Sequence, residues 1–151
     1  MIKLICVGKI KENYIKEMIG DYRKRLSKYT NIEIIEVQDE KTDDRKVVLR
    51  KEKERILKHI GNKDYIITLE VGEEELTSPA LASRLEKILI ENSNIVLIIG
   101  GSLGLDEEIK SISNMALSFS KLTFPHQLFR GLFLEQLYRC FKINNNEEYH
   151  K

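Results

Sequence analysis

Four short stretches of this 151-residue chain carry residue types that can do chemistry. Gly100-Gly101-Ser102-Leu103-Gly104 follows the apolar run Ile95 to Ile99. Glycine lets backbone approach a ligand because no Cβ intervenes, and it supplies positive φ in tight turns. The segment is therefore either a ligand-cradling loop or a plain strand-to-helix turn. Its spacing is neither G-x-G-x-x-G nor a P-loop, so a simple NAD or ATP site fails. In Thr123-Phe124-Pro125-His126, His126 is expected to cap the helix or hydrogen-bond locally and so organise the loop, ahead of the alternative of a catalytic role. Glu135, Tyr138 and Arg139 stand at i, i+3 and i+4, where Glu135 and Arg139 can equally form an ordinary surface ion pair. The ending Tyr149-His150-Lys151 is either a frayed terminus or an aromatic and cationic cluster suited to RNA.

Other chemistries are disfavoured. Histidines at 59, 126 and 150 do not assemble into a Ser-His-Asp set or a His/Cys metal cluster, so no metal is expected. Cys6 and Cys140 sit inside apolar patterns and read as buried thiols. Apolar residues at 42% with 32% charged describe a soluble globular protein. The net charge of +1 gives no overall basic excess to announce nucleic acid. By segment, residues 1 to 30 carry eight Lys and Arg against three acids, giving +5, whereas residues 61 to 100 carry three against seven, giving −4. Such asymmetry is either a solvated helix face or a basic docking surface for phosphates. Apolar runs are strand-sized and the apolar stretch at the N-terminus is short, so neither a membrane span nor a signal peptide is expected, and a cytoplasmic protein is.

The elements that must position these residues alternate. Residues 2 to 7 read as a buried strand closed by Gly8, and the spacing of Tyr14, Ile15, Met18, Ile19, Tyr22 and Leu26 predicts a helix over 12 to 29. A strand at 32 to 37 precedes a polar helix capped by Asp43 or Asp44 and running to Ile60. A strand at 65 to 71, an acidic turn at 72 to 75, and a helix from Thr77 or Ser78 to about Asn92 come next, with Pro79 in its first turn. Ile95 to Ile99 is a third buried strand, 106 to 115 a short helix, 117 to 124 an alternating strand broken by Pro125, and 126 to 141 the last helix. This order predicts an α/β fold, a single domain over 1 to 151 with a largely parallel sheet covered on both faces. Ligands of such folds bind at the carboxyl ends of strands, which is where Leu69 to Gly72, Gly100 to Gly104 and Phe119 to His126 fall.

Taken together, Ile67-Thr68-Leu69-Glu70, the loop Ile98 to Leu105, Leu122-Thr123-Phe124-Pro125-His126, Glu135-Gln136-Leu137-Tyr138-Arg139 and Tyr149-His150-Lys151 resemble the ribosomal RNA large subunit methyltransferase H family. The resemblance covers the whole chain in length and order. It implies a SPOUT-class fold whose C-terminal half is a trefoil knot holding S-adenosylmethionine, and a homodimer. It further implies methylation of N3 of a pseudouridine in large-subunit rRNA, with the assembled ribosome as partner. The rule that connections rarely thread predicts an unknotted sheet instead.

By the same resemblance Leu69, Gly100, Phe119, Ser120, Lys121, Leu122, Thr123 and Phe124 match cofactor-binding positions. Leu69 and Leu122 would sandwich adenine while main-chain groups read its edge. In-line methyl transfer needs alignment in a dry site, and a base helps because a uracil-like N3–H is largely protonated at neutral pH. His150 is the expected base, Tyr149 stacks on the nucleobase and Arg139 contacts base or phosphate, with the tail folding over a cofactor pocket of its own or the other subunit. Glu147 and Glu148 depart from the family pattern, and acids beside RNA are unfavourable. The rival expectation is a non-catalytic ribosome-associated α/β binding protein.

Overall fold

The computed structural model describes all 151 residues. Its elements, in chain order, are β1 (Ile2–Val7), α1 (Asn13–Leu26), β2 (Ile32–Val37), α2 (Arg45–Leu57), β3 (Tyr65–Glu75), α3 (Ser78–Glu91), β4 (Ile95–Ile99), α4 (Glu107–Ile112), β5 (Met115–Ser118) and α5 (His126–Asn144). The five strands form one sheet in the order β2-β1-β4-β3-β5, and every pairing is parallel. Strand β4 is continuously apolar because it lies inside the sheet with helices on both faces, and all of its residues are buried. The edge strand β2 keeps Glu33 and Glu36 exposed.

Alternating side chains divide the core in two. Ile2, Leu4, Cys6, Ile67, Leu97 and Ile99 face α1, α3 and α5. Ile5, Val7, Ile66, Val96 and Ile98 face α2 and α4, through Ile56 and Ile109. Helices α1 and α5 cross closely at Gly131, where any Cβ would collide with the side chain of Met18. Burial pushes the thiols of Cys6 and Cys140 up to about 12, as expected of core cysteines.

Helix starts follow side-chain chemistry. Asp44 accepts from the N–H groups of Lys46 and Val47, Thr77 from Ala80, and Asp106 from Glu108. Several boundaries differ from the sequence reading: α1 ends at Leu26, α4 ends at Ile112 with Met115 already in β5, and α5 runs on to Asn144. Helix α2 stops at Leu57, leaving His59 and Ile60 in a closing turn. Residues 72–75 are not a free acidic turn: β3 continues, bulges between Leu69 and Glu74, and pairs Glu74 with Leu117 and Glu75 with Ser118. Strand β5 covers only Met115–Ser118, so Phe119 to Phe124 form a loop. The alternation of that segment comes from side chains held by local turns and by α5, not from a ladder. Successive connections after β3 and β4 leave to opposite faces, toward α3 and α4, which opens a crevice at their carboxyl ends.

Candidate functional site

A cavity of about 790 Å³ fills that crevice. Its floor is Leu69 and Ile99, and its walls are the bulge at Glu70–Val71, the loop Gly100 to Asp106, and the segment Ser118 to His126 apart from Lys121. Helix α2 closes one side with Arg45, Lys46 and Leu49, residues that carried no signal in the sequence because they sit on a polar helix.

Local forces shape each wall. Gly100 packs against the backbone of Gly104, so a Cβ at 100 would lie 2.6 Å from the Gly104 carbonyl oxygen. The Gly104 N–H donates to the Gly101 carbonyl at 3.0 Å, and Gly104 holds φ at 79°. In the third segment the Ser118 hydroxyl donates to the Ser120 carbonyl, and the Leu122 N–H donates to the Ser120 hydroxyl. Phe119 meets Phe129 edge-on at 4.8 Å, and Phe124 stacks on Phe129 at 6.3 Å, which fastens this loop to α5. The crevice is thus mostly apolar surface with backbone amides, and its charged groups are partly spoken for. Glu70 accepts from the Thr68 hydroxyl and pairs with Lys110.

Of the residues matched to a cofactor site, Leu69, Gly100, Phe119, Ser120, Leu122, Thr123 and Phe124 line the cavity together. Lys121 does not: it is exposed, outside the lining. Leu122 is 71% exposed, a lip beside the cavity and not a buried wall.

Arg139, Tyr149 and His150 gather at the other end of α5, and no residue of this group lines the cavity. From His126 to Arg139 the helix rises about 20 Å at its usual pitch. The tail therefore does not fold over its own crevice. It folds back on α5: Tyr149 packs edge-on against Tyr138 at 4.9 Å, its hydroxyl donates to Glu135, and the Arg139 guanidinium lies 4.7 Å from its ring centre. Arg139 Nε also donates to Glu135 at 3.1 Å, so this is no isolated surface ion pair but the base of a network. Arg139 Nη1 lies 3.2 Å from His150 Nδ1. A guanidinium only donates, so in this contact Nδ1 accepts and Nε2 is left to carry the ring hydrogen.

Glu147, feared as an acid beside RNA, is the anchor of the tail. It accepts from the Tyr29 hydroxyl at 2.8 Å and pairs with Lys142 at 2.8 Å and Lys28 at 3.4 Å. Hydrogen bonds from Lys142 and Tyr29 pull its pKa down to about 2.

Two further groups were not legible as site residues. Arg130, 1% exposed, donates to the Val7 carbonyl at 2.7 Å and pairs with Glu36 at 3.0 Å, tying α5 to the end of β1. Glu52 is buried under the glycine loop, its Oε2 accepting from the Glu40 N–H, and burial raises its pKa. A lone charge on an apolar helix face was the available signal for Arg130.

The family described as "Predicted SPOUT methyltransferase" matches residues 1–150. The chain belongs to the SPOUT methyltransferase family. It is 46% identical to the ribosomal RNA large subunit methyltransferase H of Bifidobacterium animalis subsp. lactis over 99% of both chains. It is 48% identical to the protein of that name from Clostridium botulinum (strain Kyoto), again over 99% of both. Among solved structures it is similar to a probable methylase family protein from Haemophilus influenzae Rd KW20, with a TM-score of 0.56, 15% identity, and coverage of 99% of this chain and 70% of that one. That likeness concerns the fold alone. No helix is long and apolar enough to cross a membrane.

Proposed function

We propose that this SPOUT-family chain transfers a methyl group from S-adenosylmethionine to N3 of a pseudouridine in large-subunit rRNA within the assembled ribosome, in the cytoplasm. The observation that carries the reading is the crevice: apolar side chains and glycine-rich backbone at a topological switch point suit a purine nucleoside. The residues fit the donor. Leu69 and Leu122 can enclose the adenine, and the loops at Gly100 and at Ser118 to Phe124 can read its edge through main-chain groups, without Lys121. When bound, the donor supplies an electrophilic methyl on sulfur; the protein's task is to orient it and to exclude water. Family membership also carries the knotted threading of the C-terminal half, with which the short β5 and the return of α5 over the sheet are compatible.

The separation of the two clusters bears on assembly. About 20 Å of helix divides Arg139, Tyr149 and His150 from the crevice of the same chain, so a homodimer is required for the tail of one copy to meet the crevice of the other. There Tyr149 stacks on the nucleobase and Arg139 and His150 contact base or phosphate, His150 through its Nε2–H. A basic face at Arg23, Lys24 and Arg25 on α1 adds phosphate contacts. Calorimetric titration with S-adenosylhomocysteine, together with mass spectrometry of rRNA after incubation of unmodified ribosomes with protein and donor, tests the reading. Binding plus a new methyl on pseudouridine N3 is expected. A protein that docks on ribosomes without binding the donor would be the non-catalytic alternative.

A further inference from the structure

His126 is the one histidine that lines the crevice. It opens α5 directly after Pro125. Its neighbours are engaged: Gln127 accepts from the Lys11 N–H and Arg130 donates to the Val7 carbonyl, whereas the imidazole makes no hydrogen bond within the protein. Its Nε2 lies on the side of Gly8 and of the Arg130 guanidinium, where a Cβ built on Gly8 would make only ordinary contacts at 3.9 and 3.7 Å. The carboxylate of Glu70 is tied to Thr68 and Lys110. At the tail, His150 spends its acceptor nitrogen on Arg139 and presents a donor. Of the two imidazoles, only His126 has a lone pair free.

We propose that His126 contacts the target nucleobase in the crevice and receives its imino proton during methyl transfer, a role that rests on the methyltransferase reading. The balance is simple. The ring nitrogen forms a bond to the methyl carbon, the carbon–sulfur bond breaks with its electron pair staying on sulfur as a neutral thioether, and the N–H proton passes to His126. The imidazolium then gives the proton to water at the crevice mouth. The positive charge that leaves the sulfonium thus passes to the imidazole, so net charge in the site is unchanged by the transfer.

The charged groups facing the ring are Arg130, one turn along α5, and Asp39, beyond β2, with the Arg130 guanidinium itself paired to Glu36. Burial first, then Arg130, lowers the pKa of His126 against the opposing pull of Asp39. The ring is therefore neutral at neutral pH and able to accept. A transient imidazolium is disfavoured beside Arg130, which speeds its release of the proton.

The test compares wild type with H126N and H126Q, each checked by thermal melting. Methylation of unmodified ribosomes should lose about 10²–10⁴-fold in kcat, and the acid limb of the pH profile should disappear, while S-adenosylhomocysteine affinity stays within about twofold, below 0.5 kcal/mol. In the wild type, the ring resonance of His126 should shift when a pseudouridine stem-loop is added to the S-adenosylhomocysteine complex. Unchanged kcat with an intact acid limb, or an unmoved resonance, would overturn the inference and leave the methyltransferase reading standing. Loss of S-adenosylhomocysteine binding in both variants would overturn it too, by making His126 a donor contact. A wild type that binds no S-adenosylhomocysteine would instead sink the reading beneath it.

Discussion

At the strand ends the crevice offers apolar side chains and backbone, shaped by the contact of Gly100 with Gly104. At the far end of α5 the tail offers side chains, with Tyr149 on Tyr138 and Arg139 shared among Glu135, Tyr149 and His150. A backbone site tolerates varied side chains so long as its turns hold. A side-chain site works only while each partner is present, because buried or half-buried polar groups left unpaired are costly. On the proposed reading the two regions would divide two jobs, holding a donor and acting on an acceptor, so damage to one should leave the other measurable.

The sharpest break of that comparison is His150→Ala. Turnover on ribosomes should fall about 10²–10³-fold, the cost of losing one hydrogen-bond donor to the reacting base, with S-adenosylhomocysteine affinity unmoved in calorimetry. A parallel loss of affinity would mean that the two regions are one. Next comes Arg130→Ala, which takes the ion pair from Glu36, whose carboxylate keeps the Ile10 N–H, and removes a donor from the Val7 carbonyl. Denaturant unfolding should show a loss of about 2 kcal/mol, the cost of a buried carbonyl deprived of a donor.

Gly100→Ala is smaller and aimed at the crevice. The new methyl meets the Gly104 backbone, so the loop must move, and S-adenosylhomocysteine binding should weaken about tenfold or more, roughly 1.4 kcal/mol. The tail's tyrosine packing, followed by NMR, should be untouched. Smallest is Glu147→Gln, which frees the tail from Lys142 and Lys28 while global unfolding stays where it was. Acid should mimic it. The carboxyl's pKa is lowered from 4.5 to about 2 in the folded chain, so its contribution is complete above 4.5 and is lost as pH falls toward 2. Tyr149 resonances that stay packed across that range in the wild type would remove Glu147 as the anchor.

Much of the molecule was readable beforehand for reasons of period and capping. Apolar runs made Ile2–Val7 and Ile95–Ile99 legible as strands, and helix starts were marked at Asp43 or Asp44, Thr77 or Ser78, and Asp106, of which the structure uses Asp44, Thr77 and Asp106 as caps. Phe119 to Phe124 misled because alternation there serves packing on Phe129, not strand pairing. The acids at 73–75 looked like a turn because exposed edge pairing after a bulge leaves no apolar pattern. Arg45, Lys46 and Leu49 were invisible as crevice residues, since reaching it depends on where α2 crosses the sheet.

The amino-acid order alone determined the alternation of strands and helices, the glycine loop after the buried strand at 95–99, and the family resemblance. Those depend on hydrophobic period, capping groups and motif, which are local. That the segments after β3, β4 and β5 form one ligand site was also expected from strand order and motif; only the tertiary structure decided that α2 closes it, that His126 lines it, and that Arg139, Tyr149 and His150 lie far from it. These follow from the parallel sheet order and the length of α5, which bring distant residues together and hold near ones apart.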